Sequence, residues 1–382
     1  MDPSKRHKLC WRICYALLRR PIERIFHMRH EDASPDGPCL VISNHVTDYD
    51  PLLLAMSFPR TDLYFVASEH LFRKGLVSRL LLWAMAPIPR RKGSQGTDTV
   101  KACLRHLKDG HSVCIFAEGD ATWDGRSAEV FPATGKLARA SSASLMTYRL
   151  EGGYLTKPRW SQTLRRGELF GHPVAVYTPE QLKTMRPEQI TDTINRDIFE
   201  DAWSRQRQNA IRFRGKRLAE KLELALFCCP HCGGIGTLRS EDDRFFCRCG
   251  LSVRYGEDGF FYPAEPFETV ADWEDWQQEW LRSLDCAPDQ PLFSDDGIRL
   301  SLVTGAHREQ EIARGRLSLY PGRLRLGDYF FELDRIGSMA MVQKHLLLFR
   351  FEERYYELHA DSCVNFRKYL SWWKTRAVKQ EE

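Results

Sequence analysis

The chain has 382 residues, of which 43% are hydrophobic and 28% charged, and its formal net charge is +5. That balance excludes a disordered or collagenous chain and leaves room for two or three domains with at least one sizeable core. So modest a charge gives no general reason to expect nucleic acid, so local clusters carry the information.

Residues 1–26 alternate basic and apolar side chains. Trp11, Tyr15, Leu18, Ile22 and Ile25 recur at helical spacing among Lys5, Arg6, Lys8, Arg12, Arg19, Arg20 and Arg24. Such a helix can lie in an anionic membrane interface or pack on its own domain, and Pro21 would kink or restart it. The segment lacks the apolar stretch and cleavage site of a secretory leader. No run is long enough to span a bilayer; the best, Leu76 to Pro89, is interrupted by Arg79.

From Cys39 to about Tyr177 short apolar runs alternate with helical ones. Strands are predicted at Cys39–Ile42, Leu63–Val66, Val113–Phe116 and Leu145–Tyr148, and helices at Leu71–Ala84 and Thr97–Leu107. This order implies an α/β domain, a mostly parallel sheet with flanking helices. The charged segment Pro187–Leu226 reads as one or two helices closing it.

The first predicted strand runs into Ser43-Asn44-His45-Val46-Thr47-Asp48-Tyr49-Asp50. A neutral histidine oriented by an acid is a common means of deprotonating an alcohol near neutral pH. On a straight helix residues five apart sit roughly 140° from each other, so His45 and Asp50 meet only across a turn. Pro51 supplies one by suiting a first helical position, which makes Asp50 an N-cap for Pro51–Ser57. A helix cap beside a strand-ending histidine is the plainer alternative. Two further blocks follow apolar runs: Ile88-Pro89-Arg90, with Arg91 and Lys92 adjacent, and Phe116-Ala117-Glu118-Gly119.

Taken together, Asn44-His45-x4-Asp50, then Ile88-Pro89-Arg90, then Phe116-x-Glu118-Gly119, resemble the glycerolipid acyltransferase family of lysophosphatidic acid and glycerol-3-phosphate acyltransferases. The likeness covers roughly residues 35–180. It implies that His45 is the general base and Asp50 its orienting acid. It implies also that Arg90, Glu118 and Gly119, with Asn44 beside the base, bind the acceptor. An arginine fork suits phosphate, whereas Glu118 would orient a basic group or bond a glycerol hydroxyl. The family pattern Phe-Pro-Glu-Gly-Thr-Arg-Ser stands here as Phe116-Ala117-Glu118-Gly119-Asp120-Ala121-Thr122, without its proline and arginine. Arg126 is a candidate for the lost cation. A fourth block, usually of Val-Pro-Val-x-Pro type, is replaced by Leu145-Met146-Thr147-Tyr148-Arg149-Leu150-Glu151-Gly152-Gly153.

Cys229-Pro230-His231-Cys232 and Cys247-Arg248-Cys249 present four thiols from two loops of a small hairpin, the usual ligand set of structural zinc. The second pair is one residue tighter than Cys-x-x-Cys, and Cys228 and His231 are possible substitutes. Metal ligation fits a reducing compartment better than disulfides do, so a cytoplasmic protein is expected. The hairpin also carries Glu241, Asp242 and Asp243, against a nucleic-acid partner. A tryptophan-rich helix at Val270–Leu284 is followed by seven predicted strands between Ile298 and Leu358 and a helix at Ser362–Lys374, a topology like pleckstrin-homology or GRAM modules.

The expected organisation is therefore a basic helix at 1–26, an acyltransferase domain at 27–226, a zinc-ribbon-like module at 227–262 and a β-rich PH/GRAM-like domain at 263–382. The expected activity is O-acyl transfer in phospholipid biosynthesis, from acyl-CoA or acyl-carrier protein to a lysophospholipid of the 1-acylglycerol-3-phosphate kind. It would occur at the inner face of the cell membrane, with structural zinc and no organic cofactor. Glycerol-3-phosphate or an amino-acid lipid is an alternative acceptor, and a non-catalytic membrane adaptor an alternative function.

Overall fold

The computed structural model describes residues 2–70, 75–90, 96–304, 309–361 and 364–377. Arg91, Lys92 and the first residues of the helices predicted at 71 and 362 lie outside them. The chain forms two compact units. The first comprises Met1–Arg91, Gly96–Leu218 and Gly256–Phe260, and the second takes Ala219–Tyr255 and Phe261–Glu382.

In the first unit the strands are β1 (Met28–His30), β2 (Cys39–Ser43), β3 (Leu63–Ser68), β4 (Ile88–Arg90), β5 (Ser112–Ile115), β6 (Ser144–Glu151) and β7 (Leu169–Tyr177). Its helices are α1 (Pro3–Phe26), α2 (Asp50–Ala55), α3 (Gly75–Met85), α4 (Thr97–Lys108), α5 (Ala133–Ala140), α6 (Gly153–Thr156), α7 (Pro179–Thr184), α8 (Pro187–Ile198) and α9 (Ala202–Asn209). One seven-stranded sheet has the order β1-β7-β6-β2-β5-β3-β4. All neighbours are parallel except β6 and β7. β2 is buried along its whole length, as its unbroken apolar run requires of a central parallel strand. The core gathers Leu40, Ile42, Val113 and Leu145 from the sheet with Leu107 and Ile190 from its helices.

The predicted strands are present, and the sequence reading missed β1, β4 and β7. The helical reading of 187–226 extends too far: α8 and α9 end at Asn209. Beyond them the backbone takes left-handed conformations at Ala210, Arg217 and Lys221, which a helix cannot accommodate. Helix α1 continues through Pro21. It turns Trp11, Ile22 and Phe26 inward, and the Trp11 indole donates to the Phe58 carbonyl at 3.2 Å. Leu18 and Ile25, expected on the same stripe, point outward with Leu9, Ile13 and Leu17. No described helix is long and apolar enough to cross a membrane.

The second unit opens with strands β8 (Leu238–Glu241), β9 (Arg244–Cys247), β10 (Ser252–Tyr255) and β11 (Phe261–Tyr262), followed by α10 (Val270–Ser283). Strands β12 (Phe293–Val303), β13 (Glu309–Leu319), β14 (Arg323–Leu326), β15 (Tyr329–Glu332), β16 (Ile336–Val342), β17 (Leu346–Phe351) and β18 (Arg354–Ala360) form an antiparallel sheet in the order β15-β14-β13-β12-β18-β17-β16. Helix α11 (Arg367–Ala377) covers one end, its Trp372 and Trp373 indoles donating to Pro321 and Leu333 carbonyls. A buried Arg367–Glu274 ion pair joins α11 to α10.

Candidate active site

The site lies at the carboxyl ends of β2 and β5. β3, β4 and β5 are on one side of β2, and β1, β6 and β7 on the other, so chain connections diverge at this point, where open α/β sheets generally bind their ligands. His45 follows β2 directly. Asp50 Oδ2 lies 2.7 Å from His45 Nδ1, with the imidazole 20% exposed and the carboxylate wholly buried. A buried carboxylate needs donors. Asp50 accepts from the backbone N–H of Val46 at 2.6 Å and of Thr47 at 3.0 Å, and from the Thr47 hydroxyl at 3.0 Å. These partners correct the expected cap. Helix α2 begins at Asp50 itself, Tyr49 is its N-cap, and the carboxylate reaches back into the loop instead of forward onto its own helix. With Nδ1 held by Asp50, Nε2 is the nitrogen available for proton transfer. The ring leans on Phe116, 4.8 Å between centroids.

Asn44 is fully buried and clamps β2 to β6, its amide donating to the Leu150 carbonyl at 2.9 Å and accepting the Leu150 N–H at 2.8 Å. It positions the histidine and presents no exposed surface to an acceptor. Glu118 is likewise turned inward. It accepts the His45 N–H at 2.8 Å through one oxygen and the Ala128 N–H at 2.8 Å through the other. Burial pushes its carboxyl up to about 7 against the pull of those two donors. Thr122 N–H donates to the His45 carbonyl at 2.9 Å. The turn from Glu118 to Thr122 therefore grips both sides of the His45 backbone.

Gly119 sits inside that turn with φ +85°, and an added Cβ would lie 2.6 Å from the Phe131 ring. The Arg90 guanidinium lies over the same ring, 4.8 Å from the Phe131 centroid. Burial holds Arg90 below its ordinary value, and the charge of Asp120 opposes that shift. Arg126 is engaged by Asp124, with Nε and Nη2 at 2.9 and 2.7 Å from the same carboxylate oxygen. A different arginine meets the third block. Arg159 Nη2 donates to Asp120 Oδ1 at 3.2 Å, Nη1 donates to the Ala121 carbonyl at 2.9 Å, and the guanidinium lies 4.6 Å from the Trp123 ring centre. Sequence reading missed it because 39 positions separate it from Asp120.

In the second unit Cys229 and Cys249 Sγ are 3.6 Å apart and Cys232 and Cys247 Sγ 3.8 Å, and all four sulfurs lie within 4.8 Å of one another. A tetrahedron with metal–sulfur bonds of about 2.3 Å has edges of about 3.8 Å. The tight Cys247-x-Cys249 loop thus still completes a set that could hold a metal ion. Cys228 lies outside the group and is buried, while His231 Nδ1 is 3.8 Å from Cys249 Sγ.

Residues 24–150 match the sequence model of the family described as Acyltransferase. Over 101 residues the chain is 32% identical to the chloroplastic 1-acyl-sn-glycerol-3-phosphate acyltransferase BAT2 of Brassica napus, spanning 24% of this chain and 27% of the plant protein. It thus covers about a quarter of that curated relative. Among solved structures, the 1-acyl-sn-glycerophosphate (LPA) acyltransferase PlsC from Thermotoga maritima matches with 16% identity and a TM-score of 0.39, covering 49% of this chain and 80% of that one.

Proposed function

We propose, from the match of residues 24–150 to the Acyltransferase family, an O-acyltransferase of the glycerolipid kind that moves a fatty acyl group from a thioester, acyl-CoA or acyl-carrier protein, to the glycerol hydroxyl of a lysophospholipid. The acceptor in the plant relative's name, 1-acylglycerol-3-phosphate, is the standard for comparison. Acyl transfer is assigned to residues 27–226, with a structural zinc ribbon at 227–262 and a lipid- or protein-binding module at 263–382.

The observation that carries this reading is the 2.7 Å contact of His45 Nδ1 with buried Asp50. Asp50 keeps the proton on Nδ1 and stabilises the imidazolium that forms, as in a hydrolase triad. His45 Nε2 takes the hydroxyl proton while the acceptor oxygen attacks the thioester carbonyl. Collapse of the tetrahedral adduct breaks the carbon–sulfur bond, and the imidazolium returns the proton to the departing thiolate. The attacking oxygen belongs to the acceptor, so no enzyme nucleophile is needed.

Replacing His45 by Ala removes the base and leaves the buried clamps in place. Acyl transfer from acyl-CoA to lysophospholipid should fall by roughly 10²–10⁴-fold with thermal unfolding little changed. Full activity in this variant would overturn the assignment.

We further propose peripheral attachment to an anionic bilayer through α1 and α3. Leu9, Ile13 and Leu17 of the first and Leu76, Leu80 and Trp83 of the second are exposed. The two helices pack together, Arg6 lies over the Trp83 ring, and Lys5, Lys8 and Arg12 are exposed nearby.

A further inference from the structure

Arg90 ends β4, a three-residue strand at the edge of the sheet that pairs with β3 alone among the described strands. So short a ladder does little to order a long side chain. The guanidinium instead lies on an aromatic face, 4.8 Å from the Phe131 centroid. Phe131 is 44% exposed, so filling the core does not account for it. Its place is set by the loop that holds the base. The Phe131 N–H donates to the Ala117 carbonyl at 3.1 Å. Next in the chain, Glu118 accepts the His45 N–H through one oxygen and the Ala128 N–H through the other. Gly119 follows with φ +85° and lies bare against the ring, where a Cβ would come within 2.6 Å of it. One short loop therefore grips the His45 backbone and also presents a ring to Arg90.

We infer that Phe131 is a positioning residue: its ring orders the Arg90 guanidinium before the acceptor arrives, so that the cation meets an anionic headgroup in the same frame as His45. This rests on the acyltransferase reading above, with Arg90 as the acceptor's cation. An arginine that is free to rotate loses side-chain entropy on binding, and a contact made beforehand removes that loss. The cation–π contact occupies the flat face of the guanidinium, whereas two oxygens of a phosphate are gripped by N–H groups in its plane. Phe131 acts through Arg90, so its loss belongs to acceptor affinity and not to the chemical step.

The test measures kcat and KM with full-length protein in neutral detergent micelles at saturating acyl-CoA. The acceptor is whichever of 1-acylglycerol-3-phosphate, 1-acylglycerophosphoglycerol and 1-acylglycerophosphoethanolamine the wild type turns over fastest. Phe131→Leu keeps an apolar side chain and removes the π face. It should raise the acceptor KM by about three- to tenfold, with kcat and the KM for acyl-CoA unchanged within about twofold. Ring-fluorinated phenylalanine, incorporated site-specifically at position 131, keeps the shape and weakens the face. It should raise the same KM by about threefold or more with the unfolding temperature unchanged, a response that a merely structural ring would not show. In Arg90→Gln, which lacks the cation, neither exchange should matter. An acceptor KM unmoved by fluorination, a fall in kcat in place of the rise in KM, or an undiminished effect in Arg90→Gln would overturn the inference and leave the acyltransferase intact. Transfer to none of the three acceptors would overturn both.

Discussion

Glu118 is a carboxyl with two tasks that oppose each other. Its oxygens accept two backbone N–H groups, which favours the anion, yet burial raises it to about 7 from an ordinary 4.5. The stability it contributes is therefore complete below about pH 4.5 and lost as pH rises through 7, because the folded state binds the proton more tightly than the unfolded chain. Glu118→Gln lacks this dependence. Its stability relative to wild type should improve by about 2–3 kcal/mol between pH 5 and pH 8, read from urea unfolding at each pH. Parallel curves for the two proteins would show that the carboxyl is not shifted. At this scale the His45–Asp50 pair was legible because both partners lie on one short turn whose proline and strand end are local signals. Arg126 and Arg159 show the limit. Asp124, two positions away, captures Arg126, and only the tertiary fold delivers Arg159 to Asp120.

Among the elements, α1 shows why a single apolar stripe is too simple a reading. Its Trp11, Ile22 and Phe26 are spent on the domain, so the proposed membrane contact would fall to a second face with Leu9, Ile13 and Leu17. Deleting the helix would expose the core it covers, so the sharper test keeps it. Ile13→Gln, Leu17→Gln and Leu80→Gln together should lower binding to vesicles rich in anionic phospholipid by tenfold or more, with unfolding unchanged. Equal sedimentation of variant and wild type with vesicles would remove this surface from consideration. Strands β2 and β5 could be read because burial leaves a near-continuous apolar run, and β3 and β6 because Leu63-Tyr64-Phe65-Val66 and Leu145-Met146 still stand out as apolar segments. β7 could not: Gly171 and Pro173 interrupt it, and most of its side chains are only partly covered. Three-residue β1 has no periodicity to detect.

The whole molecule is two units with different sources of stability. The first has a sheet covered by helices. The second packs Phe245 and Phe261 of its small four-stranded sheet on Trp273 and, in addition, gathers Cys229, Cys232, Cys247 and Cys249, a set that could hold a metal ion whose ligation would add to that core. Purified protein should carry one zinc per chain by elemental analysis. Its removal with a strong chelator at mildly acidic pH should lower the unfolding temperature of the second unit by 10 °C or more, and added zinc should restore it. Full stability after complete removal would show that the thiols need no metal. The α/β class and the seven C-terminal strands were readable from alternation and turns, whereas the end of the helical region was not. Residues 210–221 are charged like a surface helix, and only their left-handed backbone positions reveal otherwise.

The clamp of Asn44 on Leu150 closes across 106 positions. A growing chain therefore emerges from the ribosome with His45, Asp50, Arg90 and the whole third block already made, yet without the β6 partners of the Asn44 amide. The same holds for a fragment cut just before β6. Such a piece keeps the bonds of Glu118 and Thr122 to the His45 backbone but lacks the Leu150 bonds that fasten Asn44 beside it. The full set of bonds around the proposed base is thus completed late in synthesis, by a strand that contributes only its backbone to them.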